Sequence, residues 1–343
     1  MSHRVVVSVS VAAVLVALVL SAAVPSTAQT AAAKKAPVPR TAWGKPDLQG
    51  VWDFRTITPL ERPQNQAGRE FLTEAEAAKL EQAAEDRNEE LLVRAAERAP
   101  VGGNVDRRPD GTPGFYNNFW LDQGTKTIGT RRTSLIIDPP DGRLPALTPS
   151  AQRRAEARQQ YLKEHPADSW LDRSASDRCI EGFNAGPPIN PGGYNQNMQI
   201  FQTPTHVALL TEMIHNVRIV PLDGQSSIGG GVRRWAGTSR GHWDGDTLIV
   251  ETSNFKEERR WRNATGNMKL VERFRRIDPD SLEYTYTVTD PETWTTPWTA
   301  TIPMQRGELP LYEYACHEGN YSLYNILAGH RAEEKEAAAK TRR

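Results

Sequence analysis

Glu212, His215 and Arg218 recur at intervals of three in one stretch of the chain. A carboxylate, an imidazole and a guanidinium held together can supply a base, an acid and a clamp for an anion. A second polar string, Cys316-His317-Glu318-Gly319-Asn320, adds His317 as a further proton carrier, beside a glycine that lets the backbone turn sharply. Such groups suit proton-transfer chemistry of the lyase, isomerase or hydrolase kind on a small organic molecule. Glu212, His215 and His317 are therefore the candidate catalytic residues.

The geometry of the first trio depends on its backbone. Intervals of three align side chains on a helix, but Val207, Val217, Ile219 and Val220 make the surroundings β-like. On a regular strand Glu212 and Arg218 share a face and His215 points the other way. A bend near Met213 is then needed to bring all three together; otherwise the trio reads as a Glu–Arg ion pair across a sheet with a structural histidine.

Substrate-binding candidates are Arg218, Arg234, Trp235, Trp243 and Trp298. Arg233-Arg234-Trp235 and Arg240-Gly241-His242-Trp243 set cations beside indoles, a combination that pairs with anions and stacks on rings. The run Gly229-Gly230-Gly231 precedes them and is expected to act as a mobile lid. With Trp294 and Trp298, the indoles at strand ends are expected to line the mouth of a cavity.

A divalent metal is a further expectation, with Glu212, His215 and His317 as its candidate ligands and His206 and His242 as other imidazoles. No His-Glu-x-x-His or His-x-His pair is present, so any such site must be assembled from distant strands. The sequence also lacks a phosphate-cradling glycine loop, a Gly-x-Ser-x-Gly elbow and a dinucleotide fingerprint. Phosphoryl transfer, serine hydrolysis of the usual kind and nicotinamide chemistry all lose weight accordingly.

The elements that must position these residues read as mainly β. Strands are predicted over 133–137, 198–202, 207–212, 217–221, 247–252, 269–277, 283–289 and 299–304. In 283–289, Tyr284, Tyr286 and Val288 alternate with polar residues, the period of a half-buried strand. Asp244-Gly245-Asp246 and Asp278-Pro279-Asp280 supply turns. Strands joined by short turns without helices predict an antiparallel barrel, or a barrel-like, calycin-like sheet. Two peripheral helices are expected: one near 73–98, opened by a Thr73/Glu76 capping box, and one near 148–165, with Pro149 in its first turn.

Arg4, an apolar run over 5–24 and the small residues Ser26-Thr27-Ala28 read as a signal peptide spanning 1–28. The alternative is an uncleaved anchor, since a bilayer is crossed by roughly 20 apolar residues. No later stretch approaches that length, so no stable membrane span is expected after cleavage, and the address is periplasmic or extracellular. A flexible leader is expected over 29–45, a single β-rich domain over 46–330 and a charged tail over 331–343. Forty-two basic residues balance forty-two acidic ones, and no basic stripe interleaves with aromatics, so nucleic acid is not an expected partner. The two cysteines, Cys179 and Cys316, are expected to form a disulfide in an oxidising compartment. A pair of separate buried thiols is the competing reading.

The strings Pro46-Asp47-Leu48-Gln49-Gly50-Val51-Trp52, Glu212 to Arg218, Gly241-His242-Trp243-Asp244-Gly245-Asp246-Thr247-Leu248 and Tyr314-Ala315-Cys316-His317-Glu318-Gly319-Asn320 resemble those of a secreted bacterial protein family, mostly uncharacterised. That resemblance implies export and a shared fold and brings no activity with it. Gly50-x-Trp52 is also similar to the signature that opens lipocalin-type barrels. Three functions follow as expectations: an exported enzyme acting on a small, partly apolar molecule by acid–base or metal-dependent chemistry, a lipocalin-like carrier of an apolar ligand, or an envelope protein whose charged helices dock a partner.

Overall fold

Leu282, Tyr284, Tyr286 and Val288 are buried and alternate with half-exposed polar neighbours along one strand, the pattern of a sheet with one packed face. The same alternation recurs through a computed structural model that describes residues 37–93, 121–222 and 231–342. The strands in chain order are β1 (Gly50–Asp53), β2 (Ile136–Asp138), β3 (Asn197–Gln202), β4 (His206–Thr211) and β5 (Val217–Pro221). They continue with β6 (Thr238–Asp244), β7 (Thr247–Ser253), β8 (Lys269–Asp278), β9 (Ser281–Thr289) and β10 (Trp298–Arg306). Expected positions 1–28, 29–36, 94–98 and Gly229-Gly230 lie outside the described residues, as does the side chain of His215.

Nine strands form an antiparallel, nearly closed barrel in the order β5-β4-β3-β1-β10-β9-β8-β7-β6, with β2 paired to β10. The edge strands β5 and β6 run side by side without a hydrogen-bonded ladder. Gly241 makes that approach possible: a Cβ there would sit 2.9 Å from Val220 Cγ1 and 2.7 Å from Leu222 Cδ2. Inside, Trp52, Met198, Ile200, Leu209, Phe274, Tyr284, Tyr286, Trp298 and Ile302 fill the core. Trp52 of the Gly-x-Trp signature is fully buried, with the guanidinium groups of Arg276 and Arg306 5.3 and 6.0 Å from its ring.

The open seam is braced from within. Arg218 on β5 and Glu272 on β8 both occupy inward positions and meet in a bidentate ion pair at 2.6 and 2.8 Å. Glu272 also accepts from the Tyr284 hydroxyl at 2.7 Å, and that hydroxyl in turn accepts from the Ile189 amide at 3.1 Å. Buried charges persist where paired and hydrogen-bonded in this way.

Among the described residues there are three α-helices. α1 (Glu74–Val93) opens with the reciprocal Thr73–Glu76 box, the Thr73 amide donating to Glu76 at 2.9 Å and the Glu76 amide to Thr73 at 3.2 Å. It buries Ala77, Ala84 and Leu91, seven residues apart on one face. α2 (Pro149–Glu164) is capped by Thr148, which accepts from the Ala151 amide at 3.2 Å. α3 (Tyr321–Thr341) corrects the expected number of helices: residues 331–341 of the charged stretch continue a helix capped by Asn320 and composed largely of good helix formers. The leader also differs from expectation over 37–45. Those residues form a turn through Gly44 that is pinned by an Arg40–Asp246 ion pair at 2.6 Å to the β6–β7 turn.

Candidate functional site

Cys179 and Cys316 form a disulfide, with Cα atoms 5.7 Å apart and a sequence separation of 137. Three chain segments meet over it. The first follows β4: Glu212 adopts helical angles, and Ile214 lies at φ 60°, a left-handed conformation that a β-branched residue rarely takes. A bend is thus present near Met213, where the trio required one, and it presents Met213 and Ile214 to the disulfide. The second runs from Ser176 to Tyr194, with Cys179 itself at φ 54°. The third is the string from Tyr314 to Asn320, where Gly319 turns at φ 69°.

Together they enclose a pocket of about 540 Å³. Met213, Ile214 and the disulfide line one side. Phe183 and Tyr194 pack edge to face at 5.3 Å, and Tyr194 stacks on Tyr314 at 6.4 Å between centroids. Asp177, Glu318 and Asn320 supply polar lining. Burial, and to a lesser degree the charge of Tyr194 and a hydrogen bond with it, pushes the Tyr314 hydroxyl up to about 12. Rings, a polarisable sulfur floor and a few polar groups are the ingredients of a small-molecule site.

Glu212 and the Glu318 region thus reach the same end of the barrel, and of the trio the two described side chains, Glu212 and Arg218, have separate partners. Glu212 accepts from the amide and the side-chain Nδ2 of Asn197 at 3.2 and 2.8 Å. Arg218 points into the barrel with its guanidinium committed to Glu272, so it is no clamp for a ligand. His317 is exposed and does not line the pocket, whereas its neighbour Glu318 does.

The tryptophan mouth also needs correction. Trp298 is fully buried, stacked on Trp261 and edge-on to Trp294 and Tyr286. Trp243 packs partly buried against the core with Lys45 5.6 Å from its ring. Trp235 lies between Arg178 and Lys256, and Arg234 is exposed with its amide bonded to the Asn254 carbonyl. These indoles serve packing and cation contacts because their strands turn them to the core or to outer loops.

The described carboxylates and imidazoles that do converge as possible metal donors are Asp168, His330 and Glu334. His330 Nε2 lies 3.1 Å from Asp168 and 3.5 Å from Glu334. The pair on α3 is an i, i+4 arrangement, but Asp168 comes from 162 residues earlier, so spacing alone hides the group.

A buried polar pair also escaped the sequence. Glu181, two residues past Cys179, accepts from Arg259 Nε at 2.9 Å, and Arg259 donates to the Pro187 carbonyl at 2.7 Å. Burial outweighs Arg259 and pushes the Glu181 carboxyl up to about 7. The signal that could have found it is the string Glu257-Glu258-Arg259-Arg260-Trp261-Arg262-Asn263, which is too charged for an ordinary strand connection.

No protein-family model matches the chain, and no curated protein matches it. Among solved structures, a secretary abundant heat soluble (SAHS) protein from Ramazzottius varieornatus is similar at 15% identity and a TM-score of 0.24, over 40% of this chain and 89% of that one. A likeness at that TM-score carries no argument about function.

Proposed function

We propose that this protein is exported and holds a small, partly apolar, ring-bearing molecule in the pocket over the disulfide, as a binding protein. Its membership of the secreted bacterial family suggested by the four sequence strings is part of the same proposal. Export is supported by the signal-like segment 1–28 and by the disulfide, and no described helix is long and apolar enough to cross a membrane.

The observation that carries the binding reading is the convergence of Phe183, Tyr194 and Tyr314 with Met213 and Ile214 around about 540 Å³ of space. The barrel interior, the usual place for a lipocalin-like ligand, is filled by side chains instead. Binding is favoured over acid–base catalysis because Glu212 and Arg218 are committed to separate partners and no described imidazole lines the pocket.

The test is a melting-temperature screen of the protein against phenols, aromatic amines and monosaccharides. A ligand at about 100 times its dissociation constant is expected to raise Tm by about 5 °C. The same shift should disappear in Tyr314→Ala and Phe183→Ala. A shift that survives both substitutions, or no shift with any compound, rejects the assignment.

A further inference from the structure

A second cleft, of about 490 Å³, lies on the other side of the segment that carries the disulfide pocket. Gly192 lines this cleft and Phe183 lines the other, and a Cβ on Gly192 would run into the Phe183 ring. The layer between the two sites is thus one side chain thick.

The composition of the second cleft is distinctive. Pro59, Leu60, Leu135 and Pro191 give it apolar walls, Arg87 and Arg262 give it two guanidinium groups, and among the described residues no carboxylate lines it. Among the described residues neither arginine has an ion-pair partner: Arg87 donates to the Gln123 side chain at 3.4 Å, and Arg262 has its guanidinium 5.8 Å from the Trp261 ring. Two cations lining one concavity give it a positive potential that favours an anion.

The backbone holds Arg262 in place at a cost. Arg260, Arg262 and Asn263 all lie in the left-handed region, at φ 48°, 49° and 67°. Non-glycine residues gathered there persist only where the surroundings fix them, and such clusters mark ligand sites. The fixing is visible: the Asn263 carbonyl accepts from Thr293 at 3.2 Å, the Ala264 amide donates to the Trp261 carbonyl at 2.9 Å, and Trp261 stacks on the buried Trp298. The core itself therefore sets where Arg262 stands.

We propose that this cleft binds a small organic carboxylate, its anionic head on Arg262 and Arg87 and its apolar body against Pro59, Leu60, Leu135 and Pro191. A planar guanidinium matches a carboxylate with two parallel hydrogen bonds. The apolar half of the cleft favours an anion with a hydrocarbon body over a fully hydrated inorganic one. This site is independent of the disulfide pocket and does not rest on the reading given to it.

Isothermal titration calorimetry at fixed ionic strength tests the assignment with benzoate, neutral benzamide and inorganic phosphate as probes. Benzoate is expected to bind saturably, and benzamide and phosphate at least about tenfold more weakly, given the worth of a charge-assisted hydrogen bond. Arg262→Ala, a change at an exposed side chain, should weaken benzoate by about 10- to 100-fold, and Arg262→Lys should fall between the two. Tyr314→Ala should leave benzoate affinity unchanged, which separates this site from the disulfide pocket. Equal binding of benzamide, competition by phosphate as strong as by benzoate, unaltered affinity in Arg262→Ala or no heat of binding at all would each overturn the proposal.

Discussion

The barrel interior and the disulfide mouth draw on the same short stretch of sequence and use it in opposite ways. Inside, Arg218 stands on a regular strand, and its charge is matched by Glu272 and by the hydroxyl of Tyr284 behind it. At the mouth, a few residues earlier, Met213 and Ile214 sit on irregular backbone, buried in a small apolar cluster of their own that lines the pocket. The left-handed Ile214 separates the two regimes. Arg218 on the regular ladder holds the barrel together, while Met213 and Ile214 on the bend line the pocket. Here one bend in the strand divides a single short stretch between the core and the pocket wall.

The largest test of this contrast is Glu272→Ala, which strands Arg218 inside the barrel. Removing one partner of a buried ion pair costs about 3–5 kcal/mol, to be read from urea unfolding. A double change to methionine at Arg218 and Glu272 should recover most of that loss, because neither charge is then left unpaired. A cost below about 1 kcal/mol for Glu272→Ala would mean that the interior pair is no more structural than an exposed one.

Next in size is the paired change of Cys179 and Cys316 to serine. It should lower stability by about 2–4 kcal/mol through the freer unfolded chain. Far-ultraviolet circular dichroism of the barrel should persist while ligand-induced stabilisation at the mouth disappears. If ligand binding survives the double change, the disulfide does not organise that region.

The smallest effect belongs to Glu181, which lies between the two regions. Its folded pKa of about 7 exceeds the ordinary 4.5, so over that window the folded state holds more protons than the unfolded one. Stability should therefore fall as pH rises from about 4.5 to 7, by about 1–3 kcal/mol from this group. In Glu181→Gln, which mimics the neutral acid, that part of the pH dependence of the urea midpoint should flatten. An unchanged slope would show that Arg259 already holds the carboxyl ionised.

Much of the barrel was legible because burial on one face imposes a period of two. The alternation at Tyr284, Tyr286 and Val288 marked β9, and the turns at Asp244-Gly245-Asp246 and Asp278-Pro279-Asp280 do separate neighbouring strands. β6 was not legible: Arg240, His242 and Trp243 sit on it, and Gly241 takes an inward position to let β5 approach, which removes the apolar signal. The two cysteines pointed to the disulfide, because the signal-like start of the sequence led to an expected oxidising compartment, where a lone pair of thiols is expected to join. The site was only half readable. Sequence marked the segments around Glu212 and Tyr314 that build the pocket, but Phe183 and Tyr194 carry no motif and reach it through tertiary packing. Arg218 was assigned to a ligand because nothing local announces a partner 54 residues away on another strand. Trp298 was misplaced for a similar reason: a tryptophan at a strand end looks the same in sequence whether its ring faces a mouth or a core.

The disulfide also fixes an order in time. Cys179 precedes β3, and Cys316 follows β10, the last of the ten strands described. The bond therefore cannot close until all ten described strands have been synthesised, and until then Cys179 is without this partner. Oxidation is in that sense a completion step. A chain in which it has occurred already has both walls of the pocket in hand.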